Sequence, residues 1–206
     1  MEVRRIAPGL WFWTAPHPKW RGATHWPEDV NSVYYEAPDA TVLIDPLVPA
    51  GEEATFWKAL DEDIDRLGLP VAVLLTAPWH ERSAPVIARR YGATVWAHEA
   101  GRSRVSRPSQ SGPLPAGIEL FIPEGIGEGE VAFFLRPHRT LVVAEFLMGV
   151  DGGLGLRISP ALQDRKALDE SLLRLLDLPV DHVLVSHGEP VLHDGRVKIE
   201  RALANG

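Results

Sequence analysis

Histidine and carboxylate side chains follow three apolar segments, each short enough to form a buried strand. His80 and Glu81 come shortly after the first segment, Glu145 directly follows the second, and His187 follows the third. Imidazole and carboxylate groups bind divalent metal ions and transfer protons near neutral pH. The chain contains no cysteine, which excludes thiolate metal sites, a cysteine nucleophile and disulfides. A metal ion in this protein would therefore need His, Asp or Glu ligands.

Apolar runs and helical periodicity predict the elements that must position these side chains. The predicted strands lie at 42–44, 71–75, 94–96, 118–122, 130–136, 140–145 and 183–185, and the predicted helices at 52–67, 84–91, 164–177 and the C-terminus. The helices are too sparse for a regular βαβ alternation, so two sheets with helices outside them fit better than one doubly wound sheet. Residues 101–117, rich in Ser, Pro, Gly and Arg, are predicted to form a long loop.

The composition is that of an ordinary globular protein. The chain has 206 residues, of which 45% are hydrophobic and 24% charged, with a formal net charge of −7. This length fits one domain spanning 1–206. An acidic chain is a poor default partner for nucleic acid or an anionic membrane, and a small-molecule ligand is the partner we expect. The N-terminus lacks the apolar core of a signal peptide, so the expected location is cytoplasmic. The oligomeric state stays open.

Four landmarks occur in order along the chain. They are Leu43-Ile44-Asp45-Pro46, the segment from Thr76 to Ala84, the segment from Leu141 to Glu145, and Ser186-His187-Gly188-Glu189-Pro190. In this order and spacing they resemble the metallo-β-lactamase superfamily from about residue 31 to about residue 191. The resemblance implies an α/β (α+β) fold, a four-layer αββα sandwich, with the site of a binuclear zinc hydrolase at one edge of the two sheets.

The family's ligand positions are mostly replaced in this sequence. When the ligand motif Thr-His-x-His-x-Asp-His is aligned on Thr76, its His, His, Asp and His positions hold Ala77, Trp79, Glu81 and Arg82. The third-strand His falls at Gly125 or Ile126, and the bridging Asp is Glu145. Only the last His of the family pattern remains, as His187. Alanine offers no ligand atom, an indole N–H only donates, and arginine is always charged. The resemblance therefore implies a degenerate site, for which we expect no cofactor and disfavour zinc.

Each candidate residue has a functional and a structural interpretation. His187 is either a remaining ligand or site base, or a loop residue that hydrogen-bonds the neighbouring backbone. His80 lies one position after an expected ligand; turned inward, it could share one metal ion with Glu81, Glu145 and His187. We prefer the interpretation of His80 as a surface residue, because a one-residue slip along an extended segment reverses side-chain direction.

Charge complementarity suggests a further contact in the same place. The resemblance puts Arg82 and Glu145 beside the same metal position, so we predict that they form a buried ion pair whose loss would cost about 3–5 kcal/mol. In the alternative, Arg82 is exposed. Asp45 matches an Asp that supports the family's site from behind the ligands, and we expect it to bond the backbone near Thr76.

Two other segments carry weaker signals. The aromatic stretch from Trp11 to Trp20, with Trp26, could wall a pocket for a flat or apolar ligand, but we prefer an edge strand that covers the sheet. Three arginines of the long loop could meet an anionic ligand or simply be solvated: Arg102, Arg104 and Arg107.

Three hypotheses about function follow. The first is a metal-free protein with a binding or structural role or unassigned chemistry. The second is an atypical hydrolase of ester or thioester-like substrates with one metal ion on Glu145, His187 and residues 80–81. The third is metal-free acid–base catalysis in which His187 acts with Glu145. Whether the chain is an enzyme stays open, although the family's usual zinc-hydroxide hydrolase is not expected.

Overall fold

The computed structural model describes residues 1–22, 26–106, 112–150, 155–158 and 163–205. The strands are β1 Glu2–Ala7, β2 Leu10–Pro16, β3 Asp29–Glu36, β4 Thr41–Ile44, β5 Val71–Leu74, β6 Thr94–Trp96, β7 Ile118–Phe121, β8 Ala132–Leu135, β9 Thr140–Val143, β10 Leu147–Gly149, β11 Leu156–Ile158 and β12 His182–Val185. The α-helices are α1 Glu53–Leu67, α2 Ala84–Tyr91, α3 Arg165–Leu173 and α4 Gly195–Asn205.

Two mixed sheets form the centre of the molecule. The first has six strands in the order β1-β2-β3-β4-β5-β6, and the second has four in the order β12-β9-β8-β7. In the first sheet β4, β5 and β6 run parallel to one another, and in the second β9 and β12 are parallel. Strands β10 and β11 form a separate antiparallel pair.

Three layers of apolar side chains hold the sheets and helices together. One lies between the sheets and includes Phe12 and Phe133, a second packs the first sheet against α1 and α2, and a third packs the second sheet against α3 and α4. Strand β2 shows why the first sheet is covered on both faces. Its Leu10 and Phe12 face the second sheet while Trp13 packs with Phe56 of α1, as the two-residue period of a strand requires. The predicted four-layer αββα sandwich is therefore confirmed.

The parallel strands bring the candidate site to one edge of the sandwich. The chain leaves β4 at Asp45, β5 near Thr76, β9 near Glu145 and β12 near His187. Two main-chain hydrogen bonds join the sheets at this edge: Val131 N donates to Thr76 O at 2.7 Å, and Asn31 N donates to Ser186 O at 3.0 Å. Since loops after parallel strands end on the same side, these side chains meet there.

The strands and helices that were predicted by range agree with the structure apart from small shifts at their ends, but β1, β3, β10 and β11 were not predicted. Two further predictions differ from the structure. The helix predicted at 164–177 ends as α3 at Leu173 and continues as a 3₁₀ helix from Arg174 to Asp177. The aromatic stretch does not form an edge strand: β2 lies between β1 and β3, so β1 is the edge. That prediction was wrong because β1 itself, which has little apolar periodicity, was not recognised.

Part of the predicted 101–117 loop is helical. A 3₁₀ helix covers Glu99–Arg104, and residues 107–111 lie outside the described residues. In the part of the chain that is described, no helix combines the length and the apolar character that crossing a membrane requires.

A close backbone contact supports the turn that carries His187. A Cβ added to Gly149 would lie 2.0 Å from Glu189 O and 2.6 Å from Glu189 N. Gly149 N also donates to His187 O at 3.0 Å. The space taken by the main chain here therefore requires glycine at position 149.

We expect Gly149→Ala to lower the free energy of unfolding by about 1–3 kcal/mol or more, because the clashing atoms are backbone and cannot rotate away. Gly155→Ala is the matched control, since a Cβ there meets no atom of the described residues within 4 Å. Urea denaturation of both variants tests this, and equal stability would contradict the contact.

Candidate metal centre

Three side chains from different segments bring one ligand atom each to the open edge. His80, Glu145 and His187 place these atoms within 4.8 Å of one another. His80 Nε2 lies 3.4 Å from Glu145 Oε1, and His187 Nε2 lies 3.6 Å from the same oxygen. Both histidines are buried, with 4% and 3% of their surface exposed. The arrangement is a compact cluster of two imidazoles and one carboxylate.

His80 points inward, so the preferred interpretation of it as a surface residue was wrong. Pro78–His80 forms a 3₁₀ turn, with Pro78 in its first turn. Side chains in such a turn do not alternate as they do in an extended strand, so the argument from a one-residue slip does not apply. The turn directs His80 towards the centre of the site.

Asp45 fixes the orientation of His80. Thr76 N donates to Asp45 Oδ1 at 2.9 Å, Thr76 Oγ1 donates to Asp45 Oδ2, and His80 Nδ1 lies 3.0 Å from Oδ2. Asp45 therefore makes the expected bond to the backbone at Thr76. If Nδ1 carries the proton that Asp45 accepts, the lone pair of His80 Nε2 faces Glu145.

The same contacts set the protonation of this pair. Burial alone would lower the pKa of His80, but the Asp45 carboxylate outweighs it and the pKa is raised. Burial would raise the pKa of Asp45, and the positive charge of His80 lowers it below its ordinary value. Asp45 is thus an anion held in the interior by donors on three sides.

Glu145 is the shared acceptor of the cluster. Besides the two imidazoles, Trp79 Nε1 donates to its Oε1 at 3.0 Å. Burial opposes ionisation, but contacts with His187 and His80 hold the pKa of Glu145 well below its usual range. The Trp79 ring is 43% exposed and lies over Gly127, where a Cβ would come within 2.7 Å of it.

Glu130 is a site-supporting residue that sequence analysis missed. It is 5% exposed, and its Oε1 accepts hydrogen bonds from Glu145 N at 2.8 Å and Phe146 N at 2.9 Å. It therefore fixes the main chain that carries the Glu145 side chain. Burial raises the pKa of Glu130 to about 7. A carboxylate at the first position of the strand predicted at 130–136 was the only sequence signal.

His187 is supported through its turn more than through its own ring. Asn31 Nδ2 donates to Val185 O and to Gly188 O, both at 2.9 Å. His187 Nδ1 is buried and has no hydrogen-bond partner among the described residues. Burial is the main cause that lowers the pKa of His187. The ring is therefore mostly neutral, with a free lone pair available on one nitrogen.

Arg82 and Glu145 do not form the predicted ion pair. Arg82 Nη1 instead donates to Asn31 O at 2.5 Å and to Asp45 O at 2.9 Å. Glu145 has the two histidines and Trp79 as its contacts. The prediction was wrong because main-chain carbonyl groups, whose positions the sequence does not reveal, hold the guanidinium.

Glu81 is not part of the cluster, although the sequence allowed it as a ligand. Its Oε1 accepts hydrogen bonds from Ser106 N at 2.9 Å and Ser106 Oγ at 2.7 Å. Ala77 is fully buried beside the site and offers no ligand atom. The carboxylate of Glu81 therefore anchors the segment after the Glu99–Arg104 helix.

Aromatic side chains line the other side of the site. Trp26 has its ring centroid 6.3 Å from that of His187 and 5.2 Å from that of His17. Of the loop arginines, Arg104 pairs with Glu128 at 3.3 Å on the surface, and Arg107 lies outside the described residues. Trp26 and His17 are thus the N-terminal residues that reach the site.

Comparisons with known proteins were informative at the level of structure. A scan against protein-family models and a search of curated proteins each found no match. A metallo-β-lactamase from Erythrobacter litoralis with β-mercaptoethanol in its active site is 18% identical, with a TM-score of 0.71 over 98% of this chain and 94% of that one. The chain adopts the metallo-β-lactamase fold.

Two further structures with this fold show the same likeness. The metallo-β-lactamase FIM-1 from Pseudomonas aeruginosa, in a mono-zinc form, is 15% identical with a TM-score of 0.69, covering 98% of this chain and 93% of that one. A metallo-β-lactamase family protein from Thermus thermophilus is 20% identical with a TM-score of 0.62, covering 97% and 80%. At these identities the likeness establishes the fold, and function has to be argued from the site.

We expect Glu130→Gln to stabilise the protein relative to wild type increasingly as the pH rises from about 4.5 to about 8. A carboxyl whose pKa is raised by folding contributes stability below its unfolded pKa and loses it as the pH passes the folded pKa near 7. The glutamine resembles the protonated acid, so the difference should grow by roughly 2–3 kcal/mol.

Urea denaturation at both pH limits, after metal removal, measures this difference. Glu128→Gln is the control, because Glu128 is exposed and paired only at the surface with Arg104. A difference between Glu130→Gln and wild type that does not change with pH would contradict the buried-acid assignment.

Proposed function

We propose that this protein is a hydrolase that depends on a single divalent metal ion held by His80, Glu145 and His187. The convergence of these three ligand atoms carries the proposal. Two imidazoles and a carboxylate are a donor set found in catalytic zinc sites, which keep a fourth position for water or substrate. This is the second of the hypotheses drawn from the sequence, with Glu81 left out of the ligand set.

The distances support the fit of one ion. Ligand atoms about 2.0–2.2 Å from a tetrahedral metal are separated by roughly 3.3–3.6 Å. The separations from Glu145 Oε1 to the two imidazole nitrogens are 3.4 and 3.6 Å. The Asp45 carboxylate behind His80 Nδ1 supplies the hydrogen bond that metal-binding histidines usually make.

A second ion does not fit this sequence. Ala77 and Trp79 provide no lone pair, and Arg82 brings a permanent positive charge. Glu81 is held by Ser106. The proposal is therefore limited to one ion.

The protein's own residues prepare the site in distinct ways. A bound divalent ion would supply a Lewis acid and lower the pKa of a bound water. Asp45 holds the His80 proton on Nδ1, Glu130 fixes the main chain of Glu145, and Trp79 orients the Glu145 carboxylate. Trp26 beside His187 excludes water from one side. By analogy with the fold alone, substrates are expected among esters, thioesters and related acyl compounds.

A metal-free role is the second candidate. The observation that favours it is the Trp79 N–H, which already donates to the Glu145 oxygen that would bind the ion. In this interpretation the three buried groups bind a ligand, or His187 and Glu145 exchange protons with it. Chelation distinguishes the two candidates, because metal-free chemistry survives it.

We expect the purified protein, after loading with zinc or manganese and dialysis, to hold about one ion per chain. His80→Ala should weaken metal binding at least tenfold, because it leaves two ligands. His193→Ala is the matched control, since His193 is exposed and its ring contact is with His182. Elemental analysis and titration calorimetry measure the content and the affinity.

Absence of bound metal after loading would reject the metal-dependent hydrolase and favour the metal-free role. Equal affinity in wild type and His80→Ala would place the ion elsewhere. For activity, chelation should abolish hydrolysis of an activated acyl ester, and activity that persists in chelator would equally reject the proposal.

A further inference from the structure

Arg82 brings a positive charge into the site without a carboxylate partner. Its Nη1 donates to two main-chain oxygens, Asn31 O and Asp45 O. Among the described residues, no carboxylate oxygen of Asp or Glu lies within 4.0 Å of the Arg82 guanidinium nitrogens, the distance limit for an ion pair. Asp45 directs its carboxylate at Thr76 and His80 instead. Removing a cation from water without a close counter-ion is costly, and a ligand can supply the missing charge.

The positive charge of the Arg82 guanidinium affects the pKa of a histidine near the site. After burial, the charge of Arg82 is the next cause that lowers the pKa of His17, which falls to about 4. The Asp45 and Glu145 carboxylates offset part of the burial penalty on Arg82 from a longer distance. Arg82 therefore lies near His17, Asp45 and Glu145 at the open edge of the sandwich.

The backbone at this residue is strained. Arg82 has φ = 39°, in the left-handed region that a residue with a Cβ seldom adopts. Asp45, whose carbonyl accepts from Arg82, has φ = 48°. Such strain costs about 1–3 kcal/mol per residue and collects at functional sites.

Two tryptophan side chains near the site also limit the chemical type of ligand. The Trp79 ring is 43% exposed, and Trp26 packs near His187. Apolar rings beside a cation suit an organic molecule with one charged end. A guanidinium presents its N–H groups in a planar fork that matches carboxylate or phosphate oxygens.

We propose that Arg82 binds an oxyanion group of the substrate, so that this site takes acyl compounds that carry a carboxylate or phosphate. That the ligand is a substrate rests on the proposed function, whereas the anion site itself needs no metal ion. Arg82 is then a specificity-determining residue, placed where it holds the charged end of the molecule while the acyl group faces His80, Glu145 and His187.

Binding is tested first, with protein whose metal has been removed by chelator followed by exhaustive dialysis. At constant ionic strength, succinate or inorganic phosphate should raise Tm saturably by about 3–6 °C at ten times Kd. Succinamide, the neutral match of succinate, should not. A response to succinate alone identifies a carboxylate site, and a response to phosphate alone identifies a phosphate site.

Three variants locate this binding. Arg82→Gln removes the positive charge and should lose the response, whereas Arg82→Lys should retain part of it. Arg89→Gln, at an exposed position of α2, is the control and should behave as wild type. A full response in Arg82→Gln, or no response to either anion in wild type, would overturn the proposal.

A measurement on the wild-type protein tests the proposal even if Arg82→Gln fails to fold. An anion on Arg82 should raise the pKa of His17, because it neutralises the charge that helps to hold that pKa near 4. Proton NMR titration of the histidines with and without saturating succinate measures this. An unchanged pKa of His17 at saturation would contradict binding at Arg82.

Activity separates this proposal from the metal-dependent function. In the metal-loaded enzyme, Arg82→Gln should raise KM at least tenfold more for monophenyl succinate than for neutral phenyl acetate. An equal change for both esters would reject the anion preference. If no ion binds but the anion response persists, the hydrolase fails and the anion site stands.

Discussion

The buried carboxylate of Asp45 is the interaction on which the rest of the site depends. It accepts hydrogen bonds from the main chain and side chain of Thr76 and contacts His80 Nδ1 at 3.0 Å. A buried anion is tolerated only when donors surround it, so this one charge requires β4, β5 and the turn after β5 to stay in register. Ser186 Oγ, at 3.5 Å, brings the segment after β12 to the same carboxylate. The inward direction of His80 follows from this arrangement.

Glu130 plays the corresponding part in the second sheet. It does not touch the cluster directly but holds two successive amides, Glu145 N and Phe146 N. One buried carboxylate therefore orients the imidazole of His80, and another orients the main chain that carries Glu145. The site is therefore supported from both sheets.

Much of the fold could be predicted from the sequence, because it depends on patterns that are local. Continuous apolar runs such as Val71–Leu74 mark buried strands, and the spacing of Phe56 and Leu60 marks the inner face of a helix. The landmark segments then gave the order of the layers. Strand β1 escaped prediction because exposed charged residues dominate it.

The site was harder to predict, because its decisive contacts depend on main-chain positions. A 3₁₀ turn decides where His80 points, and the carbonyl groups of Asn31 and Asp45 decide where Arg82 points. Glu130 acts through amides fifteen positions later in the chain. Residue types and spacing identified Glu145, His187 and Asp45, whereas the two wrong interpretations, of His80 and of the Arg82 pair, concerned direction.

The hydrogen bond from Val131 N to Thr76 O crosses from one sheet to the other at the edge of the site. It joins the turn that carries His80 to the segment that contains Glu130. Any opening of the sandwich at this edge must break it, so the exchange of a single amide hydrogen reports how often the two halves separate. The same opening would separate His80 from Glu145, so the lifetime of this bond is a lower limit on how long their contact persists against separation of the sheets.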